Sequence, residues 1–129
     1  MRVLHVSPYF APAFRYGGPP RSIFGLCRAL QRAGVDVEVL TTTADGDADL
    51  PATPPGGASY EGVAVRYLPR VFPRRLFGAR GLSAALEAAV ARADLVHVHG
   101  LWTLPGWAAA RRARRAGVPV VISPRGMLD

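Results

Sequence analysis

Short β-branched apolar runs alternate with longer amphipathic stretches along this chain, and that alternation limits the fold more than any other feature. RVLHV (2–6) reads as a buried strand. Ile23, Leu26, Cys27, Leu30 and Ala33 recur at helical spacing within SIFGLCRALQRAG (22–34), and Gly34 stops that helix. DVEVLTTT (36–43) alternates as a second strand, and EGVAVRYLP (61–69) reads as a third. LSAALEAAVARA (82–93) is an Ala-rich helix with Leu82, Leu86, Ala89 and Ala93 on one side. DLVHVHG (94–100) reads as a fourth strand, LPGWAAARRARRAG (104–117) as an amphipathic helix closed by Gly117, and VPVVISP (118–124) as a fifth strand. Strands separated by helices pair in parallel through right-handed crossovers. The expectation is an α/β fold: a doubly wound, mainly parallel sheet with the first strand central.

Two segments carry no period. ADGDADLPATPPGGAS (44–59) is rich in Pro, Gly and Asp and reads as a loop, and VFPRRLFGARG (71–81) is irregular. The chain has 129 residues, half of them hydrophobic, which suffices for one domain with a real core. No apolar stretch approaches the ~20 residues of a membrane-spanning helix. The N-terminus, MRVLHVSPYFAP, lacks the long apolar region and small-residue cleavage site of a signal peptide, so a cytoplasmic location is expected. The single cysteine, Cys27, excludes an internal disulfide and any multi-Cys metal site. Its place on the apolar side of a helix makes it a core residue.

Sixteen basic residues, all arginine, against nine acidic ones give a net charge of +7. Such a surplus suits phosphates, acidic sugars, nucleic acid or anionic lipid headgroups. Arg111, Arg112, Arg114 and Arg115 fall within roughly 160° of one another around a helix. They form a solvated face, with peripheral membrane contact as the sharper alternative. Aromatic residues do not interleave with them and no nucleic-acid signature is present, so no nucleic-acid partner is expected.

Ligands of doubly wound sheets bind beyond the carboxyl ends of the strands. That rule selects Ser7 onward, Thr43 onward, 99–102 and 123–126. RYGGPPRS (15–22) follows the first strand and opens the first helix. Proline suits the first helical position, where an N–H would have no partner. Glycine allows bending and close approach. A helix N-terminus favours phosphate, so Gly17, Gly18, Arg21 and Ser22 are candidate phosphate contacts through their amides and the two side chains; the plainer reading is a loop-to-helix junction. The G-x-G-x-x-G fingerprint is absent and Thr41–Thr43 supply no acidic residue for a ribose, which argues against NAD or FAD. His97 and His99 share one face of their strand, with His5 near if the two strands pair. No carboxylate or thiolate completes a ligand set, so no metal is expected. His97 reads as a hydrogen-bonded core residue and His99 as a polar contact facing the cleft. Trp102 either packs a sugar ring or covers the core.

Together, MRVLHVSPYFAPAFRYGGPPRSIFGLCRALQRAGVDVEVLTT, DLVHVHGLW and VPVVISPRGMLD resemble the amino-terminal domain of glycosyltransferase family 4 enzymes. The resemblance covers nearly the whole chain and is least informative over 44–81. It implies a GT-B fold of two Rossmann-like domains facing a cleft. The amino-terminal domain mainly binds the acceptor, a glycan, lipid-linked or small molecule. The carboxyl-terminal domain mainly binds a nucleotide-sugar donor, which is a co-substrate; no cofactor or metal is implied. Transfer retains the anomeric configuration. The glycine pair approaches the donor phosphate, which fits Gly17 and Gly18, while His99, Trp102 and Arg125 fall on the acceptor or cleft side. Many members carry a histidine in the loop after the fifth strand; here SPRGML has Arg125, and the histidine's role does not transfer to it. On this reading residues 1–129 are an incomplete amino-terminal domain, lacking the donor domain with its paired glutamates and inactive alone. A stand-alone nucleotide-binding or regulatory α/β domain, or a basic peripheral membrane adaptor, would explain fewer of these features.

Overall fold

The computed structural model describes residues 1–50 and 58–124. Among the described residues eight strands form: β1 Arg2–Val6, β2 Asp36–Thr42, β3 Ala44–Asp45, β4 Ala48–Asp49, β5 Ala58–Tyr60, β6 Val63–Leu68, β7 Leu95–His99 and β8 Val120–Ser123. Three α-helices, α1 Gly18–Arg32, α2 Leu82–Ala91 and α3 Leu104–Ala116, join them. Six strands make one sheet in the order β5-β6-β2-β1-β7-β8, and β3 pairs with β4 apart from it. All five strands expected from the sequence run parallel, with β1 in the middle. The alternation has this effect because each amphipathic helix must bury one stripe, and a crossover lays that stripe on the sheet.

The two faces divide by residue parity. Leu4, Val6, Val96 and Val98 point to a cluster that includes Leu86, Ala89 and Val90 of α2 and Ala109 and Ala113 of α3. Val37, Val39, Val63 and Val65 point the other way, onto Ile23 and Cys27 of α1 and the loop residue Phe10. Cys27 is thus a core residue.

Three expectations need correction. Of the loop expected over 44–59, residues 51–57 lie outside the described residues, and the rest holds the β3–β4 hairpin and the start of the edge strand β5. The hairpin turns at Gly46, where φ is 67°. It is too short to show a period, and it is held from afar: the nearly buried Arg70 guanidinium meets Asp49 at 3.0 Å and donates to the Gly46 and Ala48 carbonyls. The third strand starts at Val63 rather than 61, because Glu61 (φ 45°) and Gly62 (φ 87°) form the two-residue turn between β5 and β6. Positive φ at both central residues matches the strand twist of a hairpin. The first helix begins at Gly18, four residues early, with Pro19 and Pro20 in its first turn; Ala33, expected on the apolar side, is an exposed cap.

Candidate functional site

The carboxyl ends of β1 and β7 carry the two turns of interest. After β1 the chain makes a long excursion, 7–17, that side chains fasten to the sheet. Ser7 Oγ donates to the Tyr9 carbonyl at 2.5 Å, Thr42 Oγ1 to Pro8 O at 2.6 Å, and Tyr67 Oη to Ala11 O at 2.5 Å. Burial pushes the Tyr67 phenol well above its ordinary range, so it remains a donor at every physiological pH. Tyr16 stacks on Tyr9 at 4.2 Å and its hydroxyl donates to Gly46 O at 3.3 Å; burial raises its pKa too. Arg15 ties the segment to Asp45. The result is a loop with fixed geometry leading into α1.

At that junction Gly17 is the helix cap, with φ 79° and ψ −123°, a conformation that side chains resist. Gly18 is the first helical residue, with ordinary φ and open space where a Cβ would stand. The residue before a proline is disfavoured in helical conformation partly through its Cβ, which Gly18 lacks. That is a physical reason for glycine and proline to adjoin here. The four leading amides of a helix have no partner within it. Pro19 and Pro20 have none to offer, and Gly17 N–H donates to Phe14 O at 3.1 Å. The Gly18 amide is left. The amides of Arg21 and Ser22 fall inside the helical ladder, so their expected contribution narrows to side chains, both exposed. The Arg21 guanidinium lies over the Phe14 ring at 4.1 Å, which orients it beside the helix mouth.

The histidines gather at the middle of the sheet, on the α1 side. His5 faces His97 across the β1–β7 register. His5 Nδ1 lies 2.9 Å from His99 Nε2, His97 Nε2 lies 2.7 Å from Ser123 Oγ, and the His97 and His99 rings stack at 4.0 Å. One nitrogen from each of the three lies within 4.8 Å of the others, a grouping that could hold a metal ion, and sequence spacing anticipated the approach of His5. His97 is the hydrogen-bonded residue expected. His99, expected to face the cleft, is instead 1% exposed and bound to His5, because the strand's parity points it inward.

After β7, Gly100 (φ 88°) donates its N–H to Ser123 O at 2.8 Å, and Trp102 follows in a left-handed conformation (φ 56°) that is rare for a bulky residue. Trp102 is 76% exposed, so it does not cover the core. It borders an apolar pocket of about 470 Å³ shared with Trp107, Leu104 and Ile122. Thr103 lies in the same wall; its Oγ1 is buried without a hydrogen-bond partner. Sequence reading passed over Thr103, Trp107 and Ile122. For the first two the signal was the Thr-Leu-Pro start of α3, a cap residue followed by proline, with Trp107 one turn on; Ile122, on β8, had none. Arg125 lies outside the described residues.

Residues 17–129 match the model of a family described as glycosyl transferase 4-like domain. No curated protein matches the chain.

Proposed function

The chain belongs to the glycosyl transferase 4-like family, and from that premise we propose that it is the acceptor-side domain of a retaining, metal-independent enzyme that uses a nucleotide-sugar donor. Sugar transfer is the general function that the family supplies. In the proposed reaction an acceptor hydroxyl oxygen bonds to the anomeric carbon of the sugar. The bond from that carbon to the nucleoside diphosphate breaks, and the acceptor proton passes to the departing diphosphate. The reading pairs this domain with a donor domain across a cleft and places the work in the cytoplasm; among the described residues no helix is long and apolar enough to cross a membrane.

The observation that carries the donor assignment is the mouth of α1. A fixed loop delivers one uncommitted amide, Gly18, at the positive end of a 15-residue helix whose first turns carry the exposed Arg21 and Ser22 side chains. Glycine at 17 and 18 keeps side chains out of the way of a diphosphate. Gly18, Arg21 and Ser22 are accordingly the proposed donor-phosphate contacts, and Gly17, whose own amide is bound to Phe14 O, leaves room beside them.

Titration of the isotopically labelled protein with UDP-, GDP- and ADP-linked sugars tests this. One of the series should shift the Gly18 amide and the Arg21 and Ser22 signals saturably, and inorganic phosphate should move them less. Unmoved resonances with the whole series at millimolar concentration would remove the donor assignment.

A further inference from the structure

Three features lie in order along α3. At its start, Thr103 is 5% exposed and its Oγ1 has no hydrogen-bond partner, a rare condition for a buried hydroxyl. Next comes the pocket of about 470 Å³, within the range of cavities that take small ligands, with an almost wholly apolar wall. Trp102, Trp107 and Ile122 stand in that wall at 76%, 61% and 49% exposure. Trp107 and Ala110 are shared with a second groove, lined otherwise by Arg111, Arg114 and Arg115. The Arg111 guanidinium lies 5.2 Å from the Trp107 ring centre and so joins the two. Among the described residues, Asp or Glu lines neither groove.

We propose that α3 carries a track for an amphiphilic acceptor: its hydroxyl end at Thr103, its apolar body in the Trp102–Trp107 pocket, and an anionic end on Arg111, Arg114 and Arg115. The order of the features sets the ligand class. Thr103 sits at the carboxyl end of the sheet, where chemistry is expected in such folds. The arginines begin eight residues further on, about 12 Å along the helix axis. A molecule that satisfies all three has a hydroxyl and an acid group at opposite ends of an apolar stretch of that length, as an ω-hydroxy fatty acid has. Thr103 is a positioning residue: its hydroxyl holds the acceptor oxygen that receives the sugar. The identification as acceptor rests on the sugar-transfer reading above, whereas the ligand class rests on Thr103, the pocket and the arginines.

The chain contains two tryptophans, and both border the pocket, so intrinsic fluorescence reports on it directly. Titration of the whole chain with monomeric 12-hydroxydodecanoate should give a saturable blue shift. 10-Hydroxydecanoate, two methylenes shorter, should bind about tenfold more weakly. 1,12-Dodecanediol, without the acid, should also bind at least tenfold more weakly, and Arg111→Ala/Arg114→Ala/Arg115→Ala should erase that difference. Thr103→Val keeps the side-chain shape. It should leave the melting temperature unchanged or higher, and abolish the preference for 12-hydroxydodecanoate over dodecanoate. Ile122→Glu, at an exposed wall position, should weaken every apolar ligand. A flat titration overturns the proposal. So does a response only to phosphatidylglycerol vesicles, which would assign the patch to a membrane surface. These ligands are tested without any nucleotide-sugar, so failure here is distinct from failure at the mouth of α1.

Discussion

Leu4 and His5 are neighbours on β1, both 0% exposed, and they face opposite layers. Leu4 enters an apolar cluster under α2 and α3. His5 enters a polar strip with His97 and His99 on the other side of the sheet. The contrast continues to the carboxyl rim. On the α1 side the rim ends in an amide, a guanidinium and a hydroxyl; on the α3 side it ends in two tryptophans. The apolar face is held by area removed from water, which has no direction. On the α1 side a second apolar cluster borders the histidine strip, and the strip itself is held by hydrogen bonds, which have direction and are expensive to leave unmade.

The largest expected effect breaks the apolar side. Leu4→Ala should cost about 2–5 kcal/mol, since the buried side chain leaves a cavity between β1 and the two helices. Chemical denaturation with an unchanged slope checks this. A loss below about 1 kcal/mol would mean that α2 and α3 pack too loosely to register the cavity.

The polar side answers differently to the same kind of deletion. His5→Leu or His99→Leu alone should cost about 1–3 kcal/mol, because the remaining imidazole loses this hydrogen bond in a buried place. The double variant should cost less than the two singles together, since neither ring is then left behind. A double-mutant cycle measures that coupling. Strict additivity would show that the 2.9 Å contact does not act as a pair.

Much of this contrast can be read from RVLHV and DLVHVHG. Period-two alternation sends Leu4, Val6, Val96 and Val98 one way and the histidines the other, and βα alternation makes the two strands neighbours. The inward aim of His99 follows from the same parity, yet its position at a strand's end suggested a ligand contact. What the chain did not disclose depends on distant partners. The β3–β4 hairpin waits on Arg70, more than twenty residues away. The pocket beside Trp107 needs Ile122 from another strand. The spent amide of Gly17 depends on the three-residue turn at Phe14–Tyr16, which shows no period.

A smaller effect tests how the polar side is fastened to its rim. Tyr67→Phe removes the hydrogen bond to Ala11 O and should cost on the order of 1 kcal/mol at neutral pH. The sign of the pH dependence follows from the raised pKa. The folded protein keeps the Tyr67 proton more tightly than the unfolded chain, so the contribution is complete below the unfolded value near ~10. It is lost as pH rises through the folded value. Melting temperatures from pH 8 to 11 should therefore fall more steeply for the parent than for Tyr67→Phe. Parallel curves would show that another group governs the alkaline loss.

The smallest expected change in stability belongs to Gly18→Val, and it separates folding from function on the polar rim. Gly18 has ordinary φ and no non-neighbouring atom within 4 Å of where a Cβ would stand. The strain is limited to the following proline, so the cost should stay below about 1 kcal/mol. The ligand faces a different situation. Pro19 and Pro20 carry no N–H, and the Gly17 amide is bound to Phe14 O. The Gly18 N–H has no substitute among the four leading amides, and a branched side chain stands in the way of a phosphate oxygen approaching it. Loss of one charge-assisted hydrogen bond, about 1.5–3 kcal/mol, corresponds to roughly ten- to hundredfold weaker nucleotide-sugar binding. Melting temperature and donor affinity measured on one preparation distinguish the two roles. Equal affinity per folded molecule would reduce the glycine pair to a turn before a helix, and the polar face would then end in its histidines with no ligand at the rim.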